Sequence, residues 1–265
     1  MGFTLAGWQG RRVRAWRLGA WLALAAAAAH GAPLRACASD IDFPPFVLTS
    51  GFAEGAQSTG LAINVLQRAL RRAGREPAVV ERLPWRRCRE TVAYGQRDIA
   101  IGVPTRELDP RRFRATQAFA SVHLLYFYSA KRHPEAAPLR TLADLRRYTV
   151  CGLLGSRLDA FGIAPEHQDT GSKNERSAIV KVIEGRCDLF IEVSEVIDSL
   201  SAHDAELRDL FNASAIRRAA LPGNTPTGLH FEFSRALKDA PALQRSFDAT
   251  IQDLIRNGEM TRMTP

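Results

Sequence analysis

The chain has 265 residues, 46% hydrophobic and 24% charged, with a formal net charge of +8 at pH 7. Four of the arginines behind that charge (Arg11, Arg12, Arg14 and Arg17) stand in the first 31 residues with no acid, so residues 32–265 carry about +4. Further arginines come in scattered pairs, such as Arg71-Arg72 and Arg217-Arg218, without interleaved aromatics, which argues against a nucleic-acid-binding stripe.

The N-terminus reads as a leader for export. After the basic stretch come 12 apolar residues, Leu18 to Ala29, and then Ala29-His30-Gly31-Ala32, small enough for a signal peptidase. A membrane-spanning helix needs about 20 apolar residues, so this run is short for an anchor. The expectation is a signal peptide over 1–31 and a soluble, monomeric periplasmic chain over 32–265. Four cysteines remain: Cys37, Cys88, Cys151 and Cys187. An even count in an exported chain favours disulfides. Pairing Cys37 with Cys88 and Cys151 with Cys187 keeps each bridge within one half of the chain; buried free thiols are the alternative. No C-x-x-C spacing points to a redox dithiol or a zinc site, and the six histidines show no metal-ligand spacing.

From residue 34 onward, strand-like and helix-like runs alternate. Leu34 to Ser39 reads as a strand, Ser58 to Ala73 as a helix with Leu61, Val65, Leu66, Ala69 and Leu70 on one face, and Gly74 as its stop. A short strand at Ala78 to Glu81 precedes a helix from Trp85 to Tyr94. Strands follow at Ile99 to Val103 and Val122 to Tyr128. The second half predicts a helix at Leu142 to Arg147, a strand at Thr149 to Leu154, a helix at Ser172 to Glu184 and a strand at Leu189 to Glu192. The last helix has Asp239 as N-cap, Pro241 in its first turn and Gly258 as its stop. Such alternation implies βαβ units and a largely parallel sheet, hence an α/β fold. One device occurs twice, 90 residues apart: Gly95-Gln-Arg-Asp98 and Gly185-Arg-Cys-Asp188 each join a helix to a buried strand. Two copies suggest two lobes of similar build.

These residues resemble a known family. Asp40-Ile-Asp-Phe-Pro-Pro-Phe46, Gly60-Leu61, Gly95-x-x-Asp98, Thr105 with Arg111-Arg112, Gly155-Ser156, Gly185-x-x-Asp188 and Gly228 to Ser234 follow the order seen in family 3 extracellular solute-binding proteins, the periplasmic amino-acid-binding type. Pro84-Trp85-Arg-Arg-Cys88 resembles a divergent branch with extra cysteines. The resemblance implies a type II periplasmic binding fold: one lobe of about 33–125 plus 228–265, a second of about 130–224, and hinge crossings near Tyr126–Ala130 and Pro226–Leu229. It implies a small polar ligand in the interlobe cleft, an inner-membrane permease or receptor as partner, and no cofactor or metal.

Carried over residue by residue, the resemblance places ligand contacts at Asp40, Phe43, Trp85, Thr105, Arg112, Gly155, Ser156 and Glu192. Arg112 (or Arg111) would hold a carboxylate with its guanidinium fork. Gly155-Ser156 would open a helix whose N-terminal amides favour an anion. Three positions depart from the pattern: Pro104 and Leu154 lack the family's hydroxyls, and Val193 stands where an acid holds the ligand's ammonium, with Glu192 one residue earlier. A one-residue shift on a strand reverses a side chain. Either Glu192 is shifted into the role, or the ligand is not held by its α-ammonium in the usual way; the second reading is preferred. Asp98 and Asp188 are read as structural. Two rivals share the fold: a periplasmic cyclohexadienyl-dehydratase-like enzyme using a cleft carboxyl, and a sensor for a membrane receptor. No G-x-S-x-G, H-E-x-x-H, P-loop or G-x-G-x-x-G occurs, and the expectation is a binding protein rather than an enzyme.

Overall fold

A computed structural model describes residues 1–2, 32–50, 57–134, 138–213, 215–223 and 226–263. The expected leader, 1–31, lies outside the described residues apart from Met1 and Gly2. No helix among the described residues is long and apolar enough to cross a membrane.

In chain order the first sheet region comprises β1 (Arg35–Ser39), β2 (Leu48–Ser50), β3 (Gln57–Thr59), α1 (Leu61–Arg72), β4 (Val79–Leu83), α2 (Trp85–Ala93), β5 (Ile99–Pro104), β6 (Phe113–Ala115) and β7 (Ala120–Val122). The second comprises β8 (Leu124–Ser129), β9 (Val150–Leu153), β10 (Gln168–Ser172), α3 (Glu175–Ile183), β11 (Leu189–Val193), α4 (Ser194–His203), α5 (Ala205–Asn212) and β12 (Ile216–Ala220). The chain then returns through β13 (Thr227–Ser234), α6 (Ala240–Arg256) and α7 (Glu259–Arg262). Two main sheets result, in the orders β4-β1-β5-β13-β6 and β10-β9-β11-β8-β12, with β7 also paired to β13.

β1 runs parallel to β4 and β5, whereas the returning β13 is antiparallel to β5, β6 and β7. β13 is buried along most of its length because it lies inside the sheet, apolar Leu229, Phe231 and Phe233 alternating with buried polar His230, Glu232 and Ser234. Phe231 and Phe233 meet the ring of Phe247 at 5.4 and 5.0 Å. The second sheet has its own aromatic centre, with Phe127 5.8 Å from both Phe190 and Phe211.

The repeated Gly-x-x-Asp device has the same geometry in both copies. Gly95 and Gly185 take positive φ (71° and 77°), which a residue without Cβ adopts freely. The Asp98 carboxylate then accepts from the Arg35 amide at 2.7 Å, and the Asp188 carboxylate from the Thr149 amide at 2.8 Å. Each aspartate fixes the start of the neighbouring parallel strand. Both disulfides close inside one sheet region, Cys37–Cys88 joining β1 to α2 and Cys151–Cys187 joining β9 to the turn before β11.

Several expectations need correction. The crossing expected near Tyr126–Ala130 falls at His123: Val122 pairs with Thr227 in the first sheet, and Leu124 already pairs with Val193 in the second. Tyr126 to Ser129 is therefore sheet interior, and the second region begins near 124 rather than 130. The return crossing lies between Leu221 and Pro226, since Thr227 is already in β13. Leu142–Arg147 is a 3₁₀ helix, α1 begins at Leu61 because Ser58 and Thr59 belong to β3, and α3 begins at Glu175 because Ser172 closes β10.

Two outcomes are expected. Gly60, at φ 107°, would place a Cβ 2.5 Å from the Phe46 carbonyl oxygen; Gly60→Ala should cost about 3 kcal/mol or more in urea denaturation. Reduction should lower stability by about 2–4 kcal/mol per bridge, slightly more for Cys37–Cys88, whose loop spans 51 residues against 36.

Candidate functional site

The C-terminal ends of strands from both sheets converge on one cavity of about 210 Å³. Ala38 and Ser39 end β1, Ile101, Gly102 and Pro104 end β5, Leu153 ends β9, and Glu192 stands at the end of β11. Crevices outside the carboxyl ends of strands are the recurrent binding positions of open α/β sheets. An adjoining cavity of about 150 Å³ shares Phe43, Pro104, Ser156 and Glu192 and adds Arg106, Arg157, Phe161 and Val193.

Phe43 enters from the turn after β1. Its amide donates to the Val47 carbonyl (2.8 Å), and its own carbonyl accepts from Phe46 and Val47. The same turn caps α1: the Pro45 and Phe46 carbonyls accept from the Leu61 and Ala62 amides at 3.1 and 2.9 Å. This close approach is what requires glycine at position 60. Trp85 enters from the first turn of α2. Cys88, on the same face one turn later, is disulfide-bonded to β1 and holds that helix end against the sheet. The Trp85 indole N–H donates to Glu107 at 2.8 Å, and the Arg89 guanidinium lies 5.7 Å from the Trp85 ring and 4.7 Å from the Phe113 ring. Arg89 in turn forms an ion pair with the buried Glu232 at 2.9 Å.

From the second region come Gly155 and Ser156, Glu175 and Glu192. Gly155 takes φ 80° and the Ser156 amide donates to the Leu153 carbonyl, so this segment is a turn. The α-helix expected to open here is absent; only the four-residue 3₁₀ helix Leu158–Phe161 follows. Glu192 lines both cavities although strand alternation alone would turn it from Val193. Its position at the strand end explains this: the carboxylate folds back to accept from the Val193 amide at 2.7 Å, just before α4 begins.

The expected residues divide cleanly. Phe43, Trp85, Gly155, Ser156 and Glu192 line the larger cavity, together with the apolar departures Pro104 and Leu154. Asp40, Thr105 and Arg112 line neither cavity. Both Asp40 and Asp42 are exposed, but the acid that borders the cavity is Asp42, two residues on. Thr105 turns to the returning strand, with its hydroxyl 2.9 Å from His230 Nε2 and 3.2 Å from the Gly228 carbonyl. Arg112 is exposed beside the Phe113 ring, and Arg111 is exposed as well. The arginines that do reach the cleft, at its smaller cavity, are Arg106, 5.1 Å from the Phe161 ring, and Arg157.

Glu175 was not foreseen. It follows the N-cap Asn174, and an acid in the first turn of a helix reads as an ordinary electrostatic choice. Here it is buried and lines the larger cavity. Burial raises its pKa, and the charge of Asp42 adds to the effect. Glu192 is pushed up to about 8, first by burial and then by the charge of Glu175, against the pull of the Val193 amide and Arg106.

No family model matches the chain, and no curated protein matches it. Solved structures do. AbpA of Streptococcus pneumoniae, an amino-acid ABC transporter substrate-binding protein bound to L-arginine, is similar with a TM-score of 0.64 at 17% identity, over 87% of this chain and 92% of that one. The arginine-, lysine-, histidine-binding protein ArtJ of Geobacillus stearothermophilus gives 0.62 at 14% identity, over 87% and 93%. A histidine kinase sensor domain similar to periplasmic binding proteins gives 0.61 at 13%, over 88% and 94%. The chain thus has the two-lobed α/β fold of periplasmic binding proteins.

The raised carboxyls set a sign for pH dependence. A carboxyl that holds its proton more tightly when folded stabilises the fold at low pH, and that advantage is lost as pH rises from the ordinary carboxylate range through the folded value. Stability should therefore fall between about pH 5 and 8, with Glu232, pushed up to about 7, acting in the same direction. Glu192→Gln should flatten the slope and exceed the wild type by about 1–3 kcal/mol above pH 8, read from urea midpoints across pH.

Proposed function

We propose that this protein is an exported solute-binding protein, a divergent cysteine-containing relative of the family 3 type, that captures a small polar molecule between its two lobes. The observation that carries the reading is the shared cavity: aromatic rings of one lobe, Phe43 and Trp85, oppose polar groups of the other, Ser156, Glu175 and Glu192. A site whose halves belong to separate sheets is completed only when the lobes approach, so occupancy and closure are coupled. The crossing at His123, where pairing passes from the first sheet to the second, is where such a motion would bend. The structural likeness to substrate-binding proteins of amino-acid transporters supports delivery to an inner-membrane permease. The likeness to a kinase sensor domain supports a receptor as the alternative partner. In this reading the protein acts as a monomer in the periplasm, with residues 1–31 as the signal that takes it there.

A second reading is favoured by one feature, the Glu192 carboxyl, pushed up to about 8 by burial and by the charge of Glu175, in the wall of the cavity. Such a group can act as a general acid. Turnover of prephenate or arogenate would select an enzyme of the cyclohexadienyl-dehydratase type.

The test is a thermal-shift screen of the oxidised protein, expressed to the periplasm, against amino acids, polyamines, dicarboxylates and small sugars. A ligand at 100 times its Kd should stabilise by about 2.7 kcal/mol. Small-angle scattering should show a smaller radius of gyration with that ligand, and Trp85→Ala should weaken binding by about tenfold or more. A screen without any shift would overturn the reading.

A further inference from the structure

The charge lining the larger cavity is one-sided. It includes Asp42, Glu175 and Glu192, and no lysine or arginine. Asp42 is already matched: its Oδ1 accepts from Arg82 at 2.9 Å and from the Thr49 amide and hydroxyl at 3.1 and 2.9 Å. Glu175 and Glu192 are not. Among the described residues no other side chain donates to either carboxylate; Glu192 bonds the Val193 amide and Glu175 its own. Glu175, only 7% exposed as a residue, lines the cavity with no side-chain donor to its carboxylate among the described residues.

Burying a carboxylate without a partner is costly, and the cost is relieved by a proton or by a cation from outside. The cationic side chains suited to an anion lie elsewhere. Arg112 is exposed, Pro104 and Leu154 offer no side-chain donor, and Arg106 and Arg157 line only the adjoining cavity, where Arg157 is paired with Asp159 at 3.0 Å. The remaining walls include Phe43 and Trp85, whose faces attract positive charge.

We propose that the cavity takes a compact organic cation, a protonated amine or guanidinium on a short apolar body, whose charge Glu175 and Glu192 hold together. This rests on the solute-binding reading and narrows it to a ligand class. Of the volume available, about 210 Å³, a small amine or guanidine fills most, whereas drug-sized ligands need roughly 300–1,000 Å³.

Binding also exchanges a proton for the ligand's charge. In the empty cavity one carboxyl of the pair keeps its proton at neutral pH, because Glu192 releases it only near pH 8. The charged groups that bear on the pair are Asp42, fixed by Arg82, and Arg106, which already opposes the Glu192 shift. When the cation enters, the proton leaves to solvent. Affinity should therefore rise with pH by up to about tenfold per unit below pH 8 and level off above it.

The experiment is isothermal titration of the periplasmically expressed, oxidised protein at pH 6, 7 and 8.5. Each titration is run in two buffers of different ionisation enthalpy. The probes are L-arginine, agmatine and cadaverine, with L-glutamate, succinate and glucose for contrast. The expected result is binding of a cationic probe with net proton release at pH 7, weakened about thirtyfold or more by Glu175→Gln and by Glu192→Gln. If a neutral or anionic probe binds most tightly, the cation assignment fails and solute binding stands. Undiminished binding in Glu175→Gln, or no proton release by the wild type at pH 7, also overturns it. If L-arginine binds but agmatine does not, the assignment survives only where Glu175→Gln removes that binding. If no probe of any class binds, this proposal and the solute-binding reading fall together.

Discussion

The rest of the architecture depends on where β13 is inserted. The returning strand pairs with β5 on one side and with β6 and β7 on the other, so the first sheet cannot be completed until the chain has been through the second. That makes the second lobe an insertion, tied to the first by two crossings. At the outgoing crossing the tie is local and polar: the His123 amide donates to the Glu195 carboxylate (3.1 Å), and its Nδ1 lies 2.7 Å from the other oxygen. Within the first lobe the returning strand is held by apolar contacts, Phe231 and Phe233 of β13 against Phe247 of α6. Strand ends from two sheets are thereby brought to face one another across a gap, and that gap is the cavity.

Residues lining the gap are supported from behind, which separates positioning from contact. Trp85 is held by a disulfide one helical turn away and by a bond from its indole to Glu107. Behind that bond lies Arg89, between two rings and paired with the buried Glu232. The Phe43 turn is held by the start of α1, and Ser156 packs over Gly152, where a Cβ would come within 2.2 Å of the serine oxygen. The carboxyls of Glu175 and Glu192 are the exception: each meets only a backbone amide, its own for Glu175 and that of Val193 for Glu192, and both line the cavity.

How much of this could be read from the sequence depended on whether the signal was local. The Gly-x-x-Asp device is local: helix stop, two residues, an acid and a buried strand fix one geometry, and both copies have it. The constraint at Gly60 was not: the helix was expected from Ser58, and only the approach of the Pro45 and Phe46 carbonyls to the start of α1 leaves no room there for a side chain. Nor were residues in the loops that follow strands. The turn from Phe43 to Val47 decides that Asp42 rather than Asp40 borders the cavity, and a 3₁₀ turn after Pro104 decides that Arg106 rather than Arg112 reaches the cleft. Spacing does not encode such turns, so positions carried over by resemblance slipped. Glu175 was hidden for another reason: the start of a helix is a common place for an acid, and only the packing of two lobes makes this one buried.

The position of Trp85 has a practical consequence. The chain contains four tryptophans, at positions 8, 16, 21 and 85, and three of them precede residue 32. Among the described residues Trp85 is the single indole, and it forms part of the cavity wall; in a chain cut after residue 31, as proposed, it would be the one tryptophan of residues 32–265. Its emission therefore comes from one place, with no background from elsewhere in the fold. Colour and intensity of that fluorescence would follow the wetting, filling and emptying of the cleft directly, in unlabelled protein and in real time.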